Sequence, residues 1–424
     1  MIKLMKHQKE VLATTEHQNR VAYYLDMGLG KTFVGSEKAA SLGKNILVIC
    51  QKSKVDDWYN HFVANYGDIA DVHNLTEWTK EDYNQLVKIH DIKDEYLSVF
   101  IINYDLIWRR KELANLSDFT LMLDESSLIQ NETSKRAKFI LNKLKPANVI
   151  LLSGTPVSGK YEHLWSQCNL LGWNISKKLF HRHYIIYRMS REGYPEIVGY
   201  KNVERLKSKL REHGAVFMKT EEVIDLPTQT FTTIKVKESK EYKYFMKHSY
   251  IEFEDKEFVG DTTLTKLLYS RMLSSTYNKD KLEAFKDLLD STNDRLIVFY
   301  NFNDELEKLK EVIDRPISIV NGSVKDLKAY EEHSNSVTLV QYQAGAYGLN
   351  LQKANKMIYY SPTLSSDMYE QSKKRIHRIG QSQPCFYYLL TSGIETNIYS
   401  VLELRKDYTD ELFKEVLNKW HMKN

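Results

Sequence analysis

The apolar run Val21-Ala22-Tyr23-Tyr24-Leu25 passes directly into Asp26-Met27-Gly28-Leu29-Gly30-Lys31-Thr32. Few folds accommodate a buried strand that ends in two glycines, a lysine and a hydroxyl before the chain turns into a helix. Glycine lets backbone N–H groups close on phosphate oxygens, and a helix start adds a favourable dipole. In that geometry Met27, Gly28, Leu29 and Gly30 form a phosphate cradle, Lys31 reaches the β and γ groups, and the Thr32 hydroxyl is a ligand for Mg²⁺. The loop is a variant, because the strict GxxxxGK[ST] spacing calls for glycine at position 25, where this chain has leucine. The bland alternative is a tight strand-to-helix turn with an exposed lysine.

The same alternation continues along the chain. Apolar runs at 45–50, 98–102, 120–123 and 148–152 read as parallel strands, separated by amphipathic stretches. The segment from about 160 to 222 is rich in Tyr, Lys, Arg and His and is predicted mostly helical, an accessory part of a first domain spanning 1–225. Leu226-Pro227-Thr228 marks the boundary, since proline drives the preceding residue out of the helical region. After a strand at 230–236, a second series at 295–300, 317–320, 337–341, 356–360 and 384–390 predicts a second domain, 226–424. It closes with a helix over 401–420. The predicted fold class is α/β, two parallel-sheet domains in tandem with helical insertions.

Composition narrows the setting. The formal net charge of +4 is mild, so a nucleic-acid surface would have to come from clustering among the 60 Lys and Arg. Cys50, Cys168 and Cys385 lack zinc-ligand or disulfide-framework spacing, which points to a reducing cytoplasm. No apolar run approaches the ~20 residues of a membrane span, and the first residues lack a signal-peptide core. The expectation is a cytoplasmic protein with no membrane partner.

Four further motifs carry chemistry. Asp124-Glu125 ends an apolar strand, where an Asp holds metal and a Glu activates water. Ser153-Gly154-Thr155-Pro156 ends the next one and could sense a γ phosphate. In the second half, Gln341 to Leu351 is a glycine-rich passage suited to close approach by phosphates, of ATP or of a nucleic acid. Arg375 and Arg378 follow at i,i+3 spacing, predicted on one helical face and suited to the charge of a transferring phosphoryl group. A solvated basic helix, Lys373-Lys374-Arg375, is the alternative there.

In order, His7-Gln8, DMGLGKT, Trp58, Asn103-Tyr104, DES, SGTP, the Leu-Asn-Leu passage and QxxxRxxRIGQ resemble the Swi/Snf family of superfamily-two helicase-like ATPases over nearly the whole chain. The resemblance implies two RecA-like lobes, ATP and Mg²⁺, and tracking along double-stranded DNA. It implies that Gln8 reads adenine and that Gly348 and Asn350 belong to the nucleotide site. It also implies that Lys52, Ser53, Asn103, Tyr104, Asn301, Asn321 and Gly345 touch DNA. The chain departs from the family pattern at Ser126-Ser127, where Ala-His is common, and at Gln130, Leu364 and Lys374, where Lys, Trp and Gly are frequent. The missing His puts coupling in question, not hydrolysis.

The resulting expectation is a bare motor: a Mg²⁺-dependent, DNA-stimulated ATPase that translocates on duplex DNA, with a nuclease or replication protein as the kind of partner it would serve. Shortness and a Lys-, Asn-, Ile- and Tyr-rich composition suggest a phage or low-GC bacterial source. Two other readings stay open. One is a strand-separating or annealing helicase on forked or single-stranded DNA, or on RNA. The other is a non-hydrolysing, ATP-gated DNA-binding scaffold.

Overall fold

The computed structural model describes residues 3–43, 45–83, 96–190, 193–345 and 349–413. It divides into two compact units, Met1–Val223 with Asp407–Asn424, and Ile224–Lys406.

In the first unit the strands are β1 (Arg20–Leu25), β2 (Asn45–Cys50), β3 (Ala70–Asn74), β4 (Leu97–Asn103), β5 (Thr120–Asp124), β6 (Asn148–Leu152), β7 (Ile185–Met189), β8 (Pro195–Tyr200) and β9 (Ala215–Met218). Seven of them form a parallel sheet in the order β3-β4-β2-β5-β6-β1-β9. The apolar runs are continuous because both faces of the sheet are covered: Val21 through Leu25 and Ile46 through Cys50 are wholly buried. Each such Val, Leu or Ile side chain contributes about 1.5–3 kcal/mol of burial. Asp124 on β5 sits opposite Leu152 on β6, which sits opposite Tyr23 on β1. The loops after these three strands therefore leave the sheet together at the carboxyl ends of the strands, where open parallel sheets hold ligands.

The second unit contains β10 (Gln229–Lys235), β11 (Tyr250–Phe253), β12 (Lys256–Val259), β13 (Leu296–Tyr300), β14 (Ile317–Val320), β15 (Lys325–Asp326), β16 (Val337–Gln341), β17 (Lys356–Tyr359) and β18 (Cys385–Thr391). Its main sheet runs β10-β18-β17-β13-β16-β14-β15, parallel apart from the antiparallel β14–β15 pair. The α/β class with two parallel sheets is as expected.

Three expectations are corrected. The 160–222 segment is not mostly helical: helices Trp165–Leu170, Lys177–Tyr184 and Val203–Glu212 are interrupted by the antiparallel β7–β8 hairpin and by β9. Gly193, at φ 83°, belongs to the turn that lets the hairpin fold back, and β9 takes the open edge beside β1. β3, polar and half-buried, was not expected as a strand. The terminal helix starts at Glu395 and runs to Phe413, and the rest of the predicted 401–420 helix lies outside the described residues. From Asp407 the chain groups with the first unit, where Tyr161 Oη donates to the Tyr408 carbonyl (2.8 Å) and the Gly159 N–H to Thr409 Oγ1 (3.0 Å). All three cysteines are buried and free. No described helix is long and apolar enough to cross a membrane.

Candidate nucleotide site

The loop after β1 is held in one shape from several sides. Gly28 and Gly30 adopt φ 88° and 76°, a region that favours glycine, and Gly30 caps the helix Lys31–Leu42. Lys31 Nζ donates to the carbonyls of Leu25 (2.9 Å) and Asp26 (3.3 Å). Gly154, in the loop after β6, lies so close that a Cβ there would be 3.4 Å from Lys31 Nζ. The Thr220 hydroxyl donates to Asp26 Oδ2 (3.0 Å) and the Met27 carbonyl (3.2 Å), and the Met27 N–H donates to Asp26 Oδ1 (2.8 Å). Thr32 is half-buried in the first helical turn.

Gln8, expected on adenine, is 4% exposed and spent on this loop. Its Nε2 donates to the Leu29 carbonyl (3.1 Å), while its Oε1 accepts from the Met5 N–H (2.9 Å). His7 Nε2 lies 3.1 Å from the same Leu29 carbonyl. A Cβ on Gly30 would meet Gln8 Nε2 at 2.2 Å. Gln8 therefore fixes the loop backbone whatever else it does.

At the end of β5, Trp58 Nε1–H donates to Asp124 Oδ2 (2.9 Å) and Tyr104 Oη–H to the Asp124 carbonyl (2.9 Å). Burial raises the Asp124 carboxyl above its ordinary range, against the Trp58 bond and the charges of Lys31 and Lys54, which lower it. Glu125 follows at φ 54°, a backbone region that costs a non-glycine residue about 1–2 kcal/mol. Its carbonyl accepts from the Leu128 N–H (2.9 Å). Such strain persists only where neighbours enforce it, and it turns the chain sharply just after the acid pair. Among the described residues no group of three His, Cys, Asp or Glu could hold a metal. The Asp124 carboxylate and the Thr32 hydroxyl nevertheless fit Mg²⁺, a hard cation that takes few protein oxygens and shares the rest with phosphates.

Sequence reasoning missed Gln167. Its Oε1 accepts from Ser126 Oγ (2.8 Å) and from Tyr24 Oη (3.0 Å), and its Nε2 donates to the Pro156 carbonyl (2.8 Å). All of this is buried, and it ties the turn after Asp124-Glu125 to the Ser153–Pro156 loop and to β1. The only sequence signal was Ser126, a hydroxyl where the resembled family commonly has alanine.

The second unit places its expected residues less simply. The helix carrying Gln371 ends at Lys373, so Arg375 and Arg378 lie in the turns beyond it and not on a helical face. A tertiary contact contributes: the Leu351 N–H donates to the Arg375 carbonyl (3.2 Å), diverting that acceptor, while the Lys373 carbonyl is shared between Tyr387 Oη (3.0 Å) and the His377 N–H (3.3 Å). Nor is this a solvated basic face. Arg375 is 7% exposed with Nη1 on the Leu349 carbonyl (3.4 Å), and Lys373 is buried against Glu370. Arg378 is half-buried and Asn350 exposed. Gly345 closes the short helix Tyr342–Gly345, and Gly348 lies outside the described residues.

Of the residues expected on DNA, Lys52 and Ser53 are exposed directly after β2. Asn103 and Tyr104 are buried, and the Tyr104 hydroxyl is engaged at the Asp124 carbonyl. Asn301 Nδ2 donates to Ser361 Oγ (2.8 Å) and the Pro362 carbonyl (3.0 Å), and Asn321 Oδ1 caps the exposed turn at Ser323 and Val324. Glu305, also missed, is wholly buried and accepts from the N–H groups of Asn301 (2.8 Å) and Phe302 (3.2 Å) and from Ser361 Oγ (2.9 Å). A glutamate in the first turn of a helix is the signal that could have found it.

Comparison with known proteins bears on this arrangement. The SNF2-related domain matches residues 1–282, and the helicase conserved C-terminal domain matches residues 280–380. A putative ATP-dependent helicase/translocase of Bacillus subtilis, YwqA, is 22% identical over 92% of this chain and 46% of its own length. An SWI/SNF-related matrix-associated actin-dependent regulator of chromatin, subfamily A-like protein 1, of Xenopus tropicalis is 24% identical over 92% of this chain and 43% of its own. The chain thus spans less than half the length of these relatives. A solved structure, the Sulfolobus solfataricus SWI2/SNF2 ATPase core in complex with dsDNA, is similar at TM-score 0.45 and 20% identity, over 98% of this chain and 93% of that one. With the SNF2-related match covering well over half its residues and the helicase match following, the chain belongs to the SNF2-related family, with a helicase conserved C-terminal domain.

Proposed function

We propose that this chain is a Mg²⁺-dependent, DNA-stimulated ATPase that translocates along double-stranded DNA. The observation that carries this reading is the convergence of three strand ends at the carboxyl side of one sheet: Lys31 after β1, Asp124-Glu125 at the end of β5, and Gly154 against Lys31 after β6. A polyphosphate there would give the Lys31 ammonium anionic acceptors in place of the Leu25 and Asp26 carbonyls, with the loop N–H groups as further donors. Glu125 would orient the attacking water and accept its proton. Thr32 and Asp124 would hold Mg²⁺, which when bound neutralises charge on the phosphates. Arg375 and Arg378 are our choice for donors to the developing phosphoryl charge. Lys52 and Ser53 are the best placed of the expected DNA contacts.

The relatives' names, helicase/translocase among them, favour a motor over an ATP-gated scaffold. A phage or low-GC bacterial origin agrees with the composition, and the neighbouring genes test it. The functional test is steady-state ATP hydrolysis with Mg²⁺, alone and with blunt duplex, single-stranded DNA or RNA, with Lys31→Ala as blank. Stimulation by duplex is expected. Stimulation chiefly by single strands or RNA would replace the proposal with a helicase, and no turnover above the blank would leave the scaffold.

A further inference from the structure

β7 and β8 form a two-stranded sheet of their own. Its base is fixed: Ile185 is buried, Tyr200 stacks on Tyr161 (4.5 Å between centroids, 24°) and donates to Glu162 (2.9 Å), and the Lys201 N–H binds the Tyr184 carbonyl (3.0 Å). Beyond that base both strands are exposed on both faces, with Met189 63% exposed at the end of β7 and Tyr194 68% exposed in the turn before β8. A ribbon with no covering layer gains little in folding from such side chains, and clustered apolar exposure marks an interaction site. Tyr187 is held ready by a hydrogen bond between its hydroxyl and His181 Nδ1, the two rings nearly parallel at 14°. Ordering of this kind lowers the entropy cost of using the ring as a platform.

The surroundings are cationic. Lys178 and Arg182 are exposed four residues apart, hence on one face of the helix Lys177–Tyr184, Arg188 is exposed on β7, and Lys201 is exposed just after β8. Glu196, opposite Arg188 in the ladder, and Glu162, whose charge acts on Tyr187, offset two of these charges, and Lys177 is engaged by Glu132. Aromatic faces among an excess of cations match nucleic acid, with bases on the rings and phosphates on the side chains. In an intact duplex the bases already stack on one another, so exposed tyrosine faces find partners only where strands part.

We infer that the β7–β8 hairpin is a contact for unpaired bases and gives this chain a preference for branched DNA over blunt duplex. The inference rests on the proposed DNA track. It is tested with the full chain by fluorescence anisotropy on a labelled blunt duplex and on a fork that adds two single-stranded arms to the same duplex. The wild type binds the fork more tightly. Combining Tyr187→Ser, Met189→Ser and Tyr194→Ser removes that preference, weakening fork binding about tenfold or more with blunt-duplex binding and unstimulated ATP turnover unchanged. Tyr187→Phe with Tyr194→Phe keeps the ring faces and keeps the preference. Equal wild-type affinity for the two DNAs would overturn the inference, as would a serine variant that still prefers the fork, or anionic vesicles that displace fork DNA from the wild type. A failure of the track reading looks different: duplex would not raise wild-type ATP turnover, while the fork preference and its loss in the serine variant would persist.

Discussion

Replacing Gly30 by alanine tests whether Gln8 braces the phosphate loop. Two costs follow from the geometry. At φ 76° an alanine sits in the left-handed region, which costs roughly 1–2 kcal/mol. Its Cβ would also stand 2.2 Å from Gln8 Nε2, so the carboxamide must move and lose its bonds to the Leu29 carbonyl and the Met5 N–H. At about 0.5–1.5 kcal/mol each, those add roughly 1–3 kcal/mol, for a total of about 2–5 kcal/mol. If the loop alone bears this, the binding-competent shape becomes rarer and nucleotide affinity falls at least about thirtyfold. Titration with a fluorescent ATP analogue measures it, and a double-mutant cycle with Gln8→Ala separates the two terms. With Gln8 truncated the clash is gone, and Gly30→Ala should cost only the conformational share, about 1–2 kcal/mol. An equal cost in both backgrounds would refute the bracing role of Gln8.

Other expectations concern the acid pair, its support and the second unit. Lys31→Ala should lose nucleotide binding and turnover together, whereas Glu125→Gln should bind ATP and fail to hydrolyse it; single-turnover assays beside binding titrations distinguish them, and normal turnover in Glu125→Gln would remove its assigned role. Gln167→Leu leaves the buried hydroxyls of Ser126 and Tyr24 without their acceptor, at about 1–3 kcal/mol each; we expect a lower melting temperature and a kcat reduced more than KM is changed, and an unaltered kcat would show that the bridge only stabilises. Glu395, wholly buried against Lys281 (2.5 Å), has its carboxyl pushed up to about 7 by burial, with the Lys281 charge opposing. A raised carboxyl keeps its proton longer in the fold than in the unfolded chain. Its contribution is thus full below the ordinary value near 4.5 and is lost as pH rises through about 7, on the order of 3 kcal/mol. Urea midpoints followed across that window should fall with pH in the wild type, and Glu395→Gln should flatten this component of the slope.

The sequence was most legible where burial is complete on both faces. β1, β2, β5 and β6 are unbroken apolar runs whose loops hold the motifs, so strands and nucleotide residues could be read together. β3, Ala-Asp-Val-His-Asn, is a half-buried edge strand whose pairing comes from β4 rather than from its own composition. β9 was lost in a basic neighbourhood because four residues carry little periodicity, and an open sheet edge decides their fate. Arg375 and Arg378 kept helical spacing in the sequence, yet Leu351, distant in the chain, takes the Arg375 carbonyl, an acceptor that would have continued the helix. Gln167 could not be found from its own position at all, since it matters through three partners brought together by the fold.

Triplex displacement measures the central claim most directly: a third strand annealed to one end of a blunt duplex, with ATP and Mg²⁺ added, and Glu125→Gln as the blank. The account predicts that the wild type releases the third strand in an ATP-dependent manner and leaves the duplex paired. ATP hydrolysis stimulated by the same duplex with no release of the third strand, or release accompanied by separation of the duplex, would contradict translocation along double-stranded DNA.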